Sequence, residues 1–157
     1  MPELITPTAD RRTAWLDAHA EWGPGRHEDG FGLLPADEVA TPAGFAAWLT
    51  RLATDESTEY WWIVDGEQVL GGIALRRRDA GAGHIGYGVR PSARRRGLAS
   101  WALARVLDEA RARGMPEVVL VCAPGNVASA KTIERHGGVR EDGSWRYRVT
   151  LVPVEKL

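Results

Sequence analysis

The stretch Val89-Arg-Pro-Ser-Ala-Arg94-Arg-Arg-Gly97-Leu-Ala99-Ser-Trp101 changes period partway along. Before it, His84–Val89 alternates as a strand does, and Pro91 stops that strand because it has no N–H for a ladder. After it, Leu98, Trp101, Ala102, Val106, Leu107 and Ala110 fall on one helical face. Arg111 and Arg113 suit the negative end of that helix, and Gly114 and Pro116 close it. A strand therefore runs through a small-residue loop into a long helix. The first turn of a helix leaves about four N–H groups unpaired and carries partial positive charge. Gly97 and Ala99 would let a ligand come close to that backbone. The junction reads as an anion site suited to a pyrophosphate, with Arg94, Arg95 and Arg96 adding charge around it.

The spacing Arg-x-x-Gly-x-Gly/Ala proves little by itself. With 18 Arg and 18 Gly in 157 residues, far above ordinary usage, roughly half a match is expected by chance. Arg78-x-x-Gly81-x-Gly83 fits the same spacing. A strand follows Gly83, with no helix N-terminus to offer its N–H groups, whereas an amphipathic helix follows Ala99. Context selects the second match. Arg76–Arg78, the other arginine triplet, is read as compositional bias on a solvated face.

Working outward, Val118–Cys122 is a continuous apolar run that fits a buried strand. Asn126 is a good N-cap for a helix over Ala128–His136, closed by Gly137-Gly138. Trp145–Val152 reads as a last strand. Upstream, Tyr60–Val64 and Gln68–Leu75 flank Asp65-Gly66, a strong hairpin signal. Thr41-Pro42 predicts an N-cap and first helical position, opening a helix that buries Phe45, Trp48, Leu49 and Leu52. A short strand at Leu4–Thr6 and a helix from Ala9 to Ala20 precede it. Glu21–Asp37 is rich in Gly and Pro and long for a connection, which makes it a candidate binding loop or lid. The order is strand, two helices, a meander, then β-α-β-α-β: one mixed α/β (α+β) domain over residues 1–157.

Composition narrows the function. The chain is 44% hydrophobic and 26% charged with a formal charge of −1, so it reads as globular and not as a broadly basic nucleic-acid binder. No run reaches the roughly 18 apolar residues of a membrane span. The segment MPELITPTADRR lacks the order of a signal peptide, so a cytoplasmic location is expected. The single cysteine, Cys122, excludes an internal disulfide and a multi-cysteine zinc site, and no metal is expected. Cys122 itself reads as a small core residue.

Three pieces, in order, resemble the GNAT superfamily of acetyl-coenzyme A-dependent N-acetyltransferases: His84–Val89 with Arg94-x-x-Gly97-x-Ala99, the strand Val118–Cys122, and Asn126-x-Ala128-Ser129-x-x-x-Ile133-Glu134-x-x-Gly137-Gly138. With Trp61-Trp62 upstream and Arg146-Tyr147 downstream, the chain looks like a branch of small bacterial predicted acetyltransferases. The resemblance implies a mostly antiparallel central sheet flanked by helices, with two splayed central strands. It implies acetyl-CoA as co-substrate, bound by the backbone of Arg94, Arg95, Arg96, Gly97, Leu98 and Ala99 at its pyrophosphate. The pantetheine arm would lie along Tyr87, Gly88 and Val89, with Asn126 and Ser129 or Lys131 facing it. A backbone N–H there would polarise the thioester carbonyl. The reaction would be direct attack of a primary amine, from a small molecule or a peptide, in a ternary complex.

Acid and base are less plainly marked. Many members of the family carry a tyrosine as acid where this chain reads Thr132-Ile133-Glu134. His84, at the start of the central strand, is the candidate base, since an imidazole titrates near neutrality. It could equally be a hydrogen-bonded strand residue, and deprotonation through water needs no base. In the long loop Glu21, His27, Glu28 and Asp29 are rivals, and Glu21, Trp22 and Glu28 are candidate acceptor-binding residues. Two other functions compete: an acyl-CoA-binding sensor or scaffold without catalysis, and a nucleic-acid binder using the arginine triplets, which the charge balance disfavours. No membrane partner is expected, and a homodimer is common in the family.

Overall fold

In the computed structural model, which describes residues 1–23, 29–79 and 81–151, the Asp65-Gly66 signal forms the hairpin that founds the sheet. β2 (Thr58–Asp65) and β3 (Gln68–Arg76) pair antiparallel across it. β1 (Pro2–Ile5) adds to the outer edge of β2, and β4 (Ile85–Val89) to β3. β5 (Glu117–Val121) lies parallel to β4, β7 (Arg146–Thr150) pairs antiparallel with β5, and the two-residue β6 (Val139–Arg140) covers the edge of β7. The strand order is β1-β2-β3-β4-β5-β7-β6, and among the described residues β4–β5 is its one parallel pair.

Two apolar clusters sandwich the sheet. On one face α3 (Leu98–Ala112) and α4 (Val127–Arg135) pack Leu103, Val106, Leu107 and Ile133 against Ile73, Ile85, Leu120 and Tyr147. On the other face α1 (Arg12–Trp22) and α2 (Pro42–Thr54) pack Trp15, Phe45 and Trp48 against Trp62, Val64 and Val69. Burying each such side chain stabilises by about 1.5–3 kcal/mol, so periodicity decides which face a strand residue takes. α2 begins as predicted: the Thr41 hydroxyl accepts the Gly44 N–H at 3.1 Å, with Pro42 in the first turn.

The segment expected to be a lid differs. Glu21 and Trp22 belong to α1. Phe31 is 1% exposed in the aromatic cluster, and Arg51 ties the segment down by donating to the Gly32 carbonyl at 2.8 Å and to Asp37 at 2.5 Å. Asp29–Asp37 is therefore fixed to the core. His27 and Glu28 lie outside the described residues. Among those described, no helix is long and apolar enough to cross a membrane.

Candidate active site

The parallel pair opens almost at once. Its ladder consists of Ile85 opposite Leu120, and beyond that β4 and β5 diverge. Bonds from Arg76 N–H to the His84 carbonyl and from Arg90 N–H to the Leu70 carbonyl fix the alternation along β4. Within β4, Gly86 and Gly88 turn their amides to β3, so Tyr87 and Val89 turn theirs toward β5 and into the gap. Backbone polar groups without a strand partner are ready to bind something else.

His84 closes the narrow end. Its backbone N–H donates to the Val119 carbonyl at 2.6 Å, and the Val119 N–H donates to its Nδ1 at 2.9 Å. The ring is thereby fixed with its proton on Nε2. Burial lowers its pKa below the ordinary histidine value. The expectation of a catalytic base is corrected here: the lone pair that a base needs is spent on Val119. The residue staples β4 to β5.

The wide end is lined by polar side chains from β4, from the residue after β5 and from the first turn of α4. Tyr87 Oη lies 2.8 Å from Ser129 Oγ, and Cys122 Sγ donates to Ser129 Oγ at 3.5 Å. Asn126 positions Ser129 by accepting its N–H at 3.1 Å, as an N-cap does. Burial pushes the Tyr87 phenol up to about 12 and raises the Cys122 thiol as well. Both therefore stay protonated near neutral pH. Cys122 is 4% exposed, a core residue at the gap's edge.

The loop after β4 presents the helix N-terminus. Gly97 caps α3 in the left-handed region, φ +75°, with no side-chain hydrogen bond, and Arg95 is left-handed at φ +66°. The first intrahelical bond runs from Trp101 N–H to the Gly97 carbonyl, which leaves the Leu98, Ala99 and Ser100 amides for an anion. No heavy atom lies within 4 Å of where a Cβ at Gly97 would stand. Two of the three arginines brace the loop: Arg94 donates to the Val89 carbonyl at 2.9 Å and Arg96 to the Ser92 carbonyl at 3.2 Å.

A residue not singled out in the sequence holds the loop's base. Arg90 is 6% exposed and donates to Glu21 at 2.9 Å, to Asp17 at 2.9 Å and to the Val69 carbonyl at 3.3 Å. Glu21 also accepts the Ser92 N–H at 2.6 Å. The Arg90 guanidinium, then the Ser92 N–H, holds its carboxyl at about 2. Glu21 is thus a clamp between α1 and the anion loop, with both oxygens engaged, in place of the acceptor ligand expected. Trp22 is corrected too: it is 6% exposed and edge-on to Phe31, leaving no open ring face for stacking. Among the described residues, no group of three or more His, Cys, Asp or Glu could hold a metal.

A gap between two parallel strands, with unpaired amides on one side and an uncapped helix N-terminus at its mouth, suits an extended ligand with a phosphate end. The comparisons define the class. The family model for the acetyltransferase (GNAT) domain matches residues 26–139, well over half of the chain, so the protein is an acyl-CoA-dependent N-acyltransferase by class. The chain belongs to the GNAT family. Among solved structures, the ribosomal L7/L12 alpha-N-protein acetyltransferase RimL in complex with coenzyme A has a TM-score of 0.75 at 15% identity, covering 96% of this chain and 94% of that one. The ribosomal-protein-S5-alanine acetyltransferase from Vibrio fischeri gives 0.69 at 18%, covering 95% and 92%. The microcin C7 self-immunity acetyltransferase MccE, in complex with acetyl-CoA and AMP, gives 0.69 at 14%, also covering 95% and 92%. No curated protein sequence matches.

Proposed function

We propose that the protein transfers an acetyl group from acetyl-CoA to a primary amine, with both reactants held in the β4–β5 gap. The observation that carries this reading is the convergence of the Tyr87 and Val89 amides, the Tyr87–Ser129 hydroxyl pair and the α3 N-terminus on one opening. RimL and MccE, with the same fold, were solved with coenzyme A and acetyl-CoA.

When bound, acetyl-CoA supplies an acetyl group activated as a thioester. The backbone of Arg94–Ala99 takes the pyrophosphate charge on the Leu98 and Ala99 amides, as open space at Gly97 allows. Tyr87, Gly88 and Val89 receive the pantetheine arm through the free edge of β4. The Val89 N–H is the donor for charge developing on the carbonyl oxygen. Asn126 fixes Ser129, and the Ser129 hydroxyl gives a proton to the departing sulfur while taking one from the Tyr87 phenol, which regains its own from solvent. This pair fills the role for which Thr132-Ile133-Glu134 has no tyrosine. With His84 and Glu21 committed elsewhere, we assign deprotonation of the amine to solvent. Holding both reactants together supplies much of the acceleration.

A thiol-release screen with acetyl-CoA across small amines and peptide N-termini tests the reading. Turnover with at least one amine class is expected. Binding of acetyl-CoA with no release for any amine would favour the scaffold alternative.

A further inference from the structure

We propose that Arg76 selects acceptors that carry an anionic group, a carboxylate or a phosphate, a few bonds from the amine. The proposal rests on the acetyl-transfer reading above and names the acceptor class for it. Gly86 is the second residue of β4, on the sheet face opposite α3. A Cβ at that position would stand 3.3 Å from one terminal nitrogen of Arg76 and 3.5 Å from the other. The guanidinium thus lies over the β4 backbone in the space a side chain would fill. It is half-buried, and its one hydrogen bond among the described residues, to the Gly83 carbonyl, is long at 3.4 Å.

The neighbouring arginines on this face are neutralised. Arg146 pairs with Asp79 and Glu141, and Arg148 with Glu117 and Glu141. Among the described residues no carboxylate lies within ion-pair distance of Arg76. A half-buried guanidinium with most of its five donors unspent is a strong site for a bidentate anion. From Gly86 to Gly88, beside the Tyr87 and Val89 amides, is roughly 7 Å along a strand. That span matches an amine and an anionic oxygen about five bonds apart. A polyamine would be repelled by the same charge.

Thiol release is measured with matched pairs, 4-aminobutyrate against butylamine and O-phosphoethanolamine against ethanolamine, and with spermidine. The wild type is expected to favour the anionic member of at least one pair by tenfold or more in kcat/KM. The pair that shows it tells carboxylate from phosphate. Arg76→Gln should bring that ratio near one by raising KM for the anionic amine, and Arg76→Lys should keep part of it. A second arm needs no turnover: with unreactive coenzyme A present, the preferred anionic amine should raise the Tm of the wild type and not of Arg76→Gln. An unchanged Tm rise of Arg76→Gln with acetyl-CoA alone shows that the variant is folded. Equal rates within both pairs, preference for spermidine, or a preference that survives in Arg76→Gln would overturn the proposal. If no amine releases thiol, the acetyl-transfer reading fails, and the Tm arm still decides Arg76: no rise with either anion in the wild type rejects the site.

Discussion

Ser129 and Tyr87 share a hydrogen bond at 2.8 Å where the strands part, so their contributions to a proton transfer should not be independent. Ser129→Ala and Tyr87→Phe are each expected to lower kcat by about 10- to 100-fold, and the double variant no further than the worse single one. Thiol-release kinetics would show independent roles if the losses multiplied. His84 leads to a different outcome. Removing its ring leaves the buried Val119 N–H unpaired, which costs about 1–3 kcal/mol. Burial lowers the His84 pKa, so the stability it confers is complete above its ordinary value of 6.5 and is lost as pH falls through the lowered one. Denaturation of His84→Ala should therefore show a larger deficit at pH 8 than at pH 5. With solvent as the base, kcat/KM should rise with pH toward the amine's own pKa, with no inflection near 6.5. Tyr87 and the Gly97 turn were legible because they lie inside one short motif, and Ser129 because it lies in another, just after the Asn126 N-cap. The partners of Arg90, at Asp17 and Glu21, and the place of Arg76 over Gly86 arise only when distant segments meet.

Between elements, the clamp of Glu21 on Arg90 and Ser92 joins α1 to the loop that opens α3. Breaking it leaves a buried guanidinium short of a partner, at a cost of about 3 kcal/mol. Glu21→Gln should lower stability by roughly that amount and weaken acetyl-CoA binding in the same variant. The carboxyl stands at about 2, against 4.5 ordinarily, so its stabilisation is present above pH 4.5 and fades as pH falls toward 2. The gap in stability between wild type and Glu21→Gln should stay constant from pH 6 to 8 and close in acid; a gap that persisted at pH 2.5 would assign the loss to packing. The four helices were legible in the sequence because caps and apolar spacing agree, as at Thr41-Pro42 and Asn126. β6 was not, since two residues at an edge carry no periodicity. The parallel pairing of β4 with β5, and their divergence after Ile85, came from the family resemblance and not from any pattern in either strand.

Across the whole molecule, the arginine excess divides by position. Arg51, Arg90, Arg111, Arg113, Arg146 and Arg148 are spent on carboxylates, drawn from the 21 acidic residues that outnumber the 20 basic ones by one. The loop Arg94–Gly97 keeps its positive character for the mouth of the gap. Its backbone is the proposed pyrophosphate site, and matched glycines at the two ends of α3 test it. Gly97 and Gly114 have φ of +75° and +76°, and neither has a heavy atom within 4 Å of a would-be Cβ. About 22 Å of helix separates them. Gly97→Val and Gly114→Val therefore both place a branched side chain at a left-handed φ with open space around it, at opposite ends of the helix. Calorimetric titration with acetyl-CoA is the direct measurement. Gly114→Val should bind as the wild type does, while Gly97→Val, folded by circular dichroism, should bind at least thirtyfold more weakly. Wild-type affinity in Gly97→Val would contradict the account.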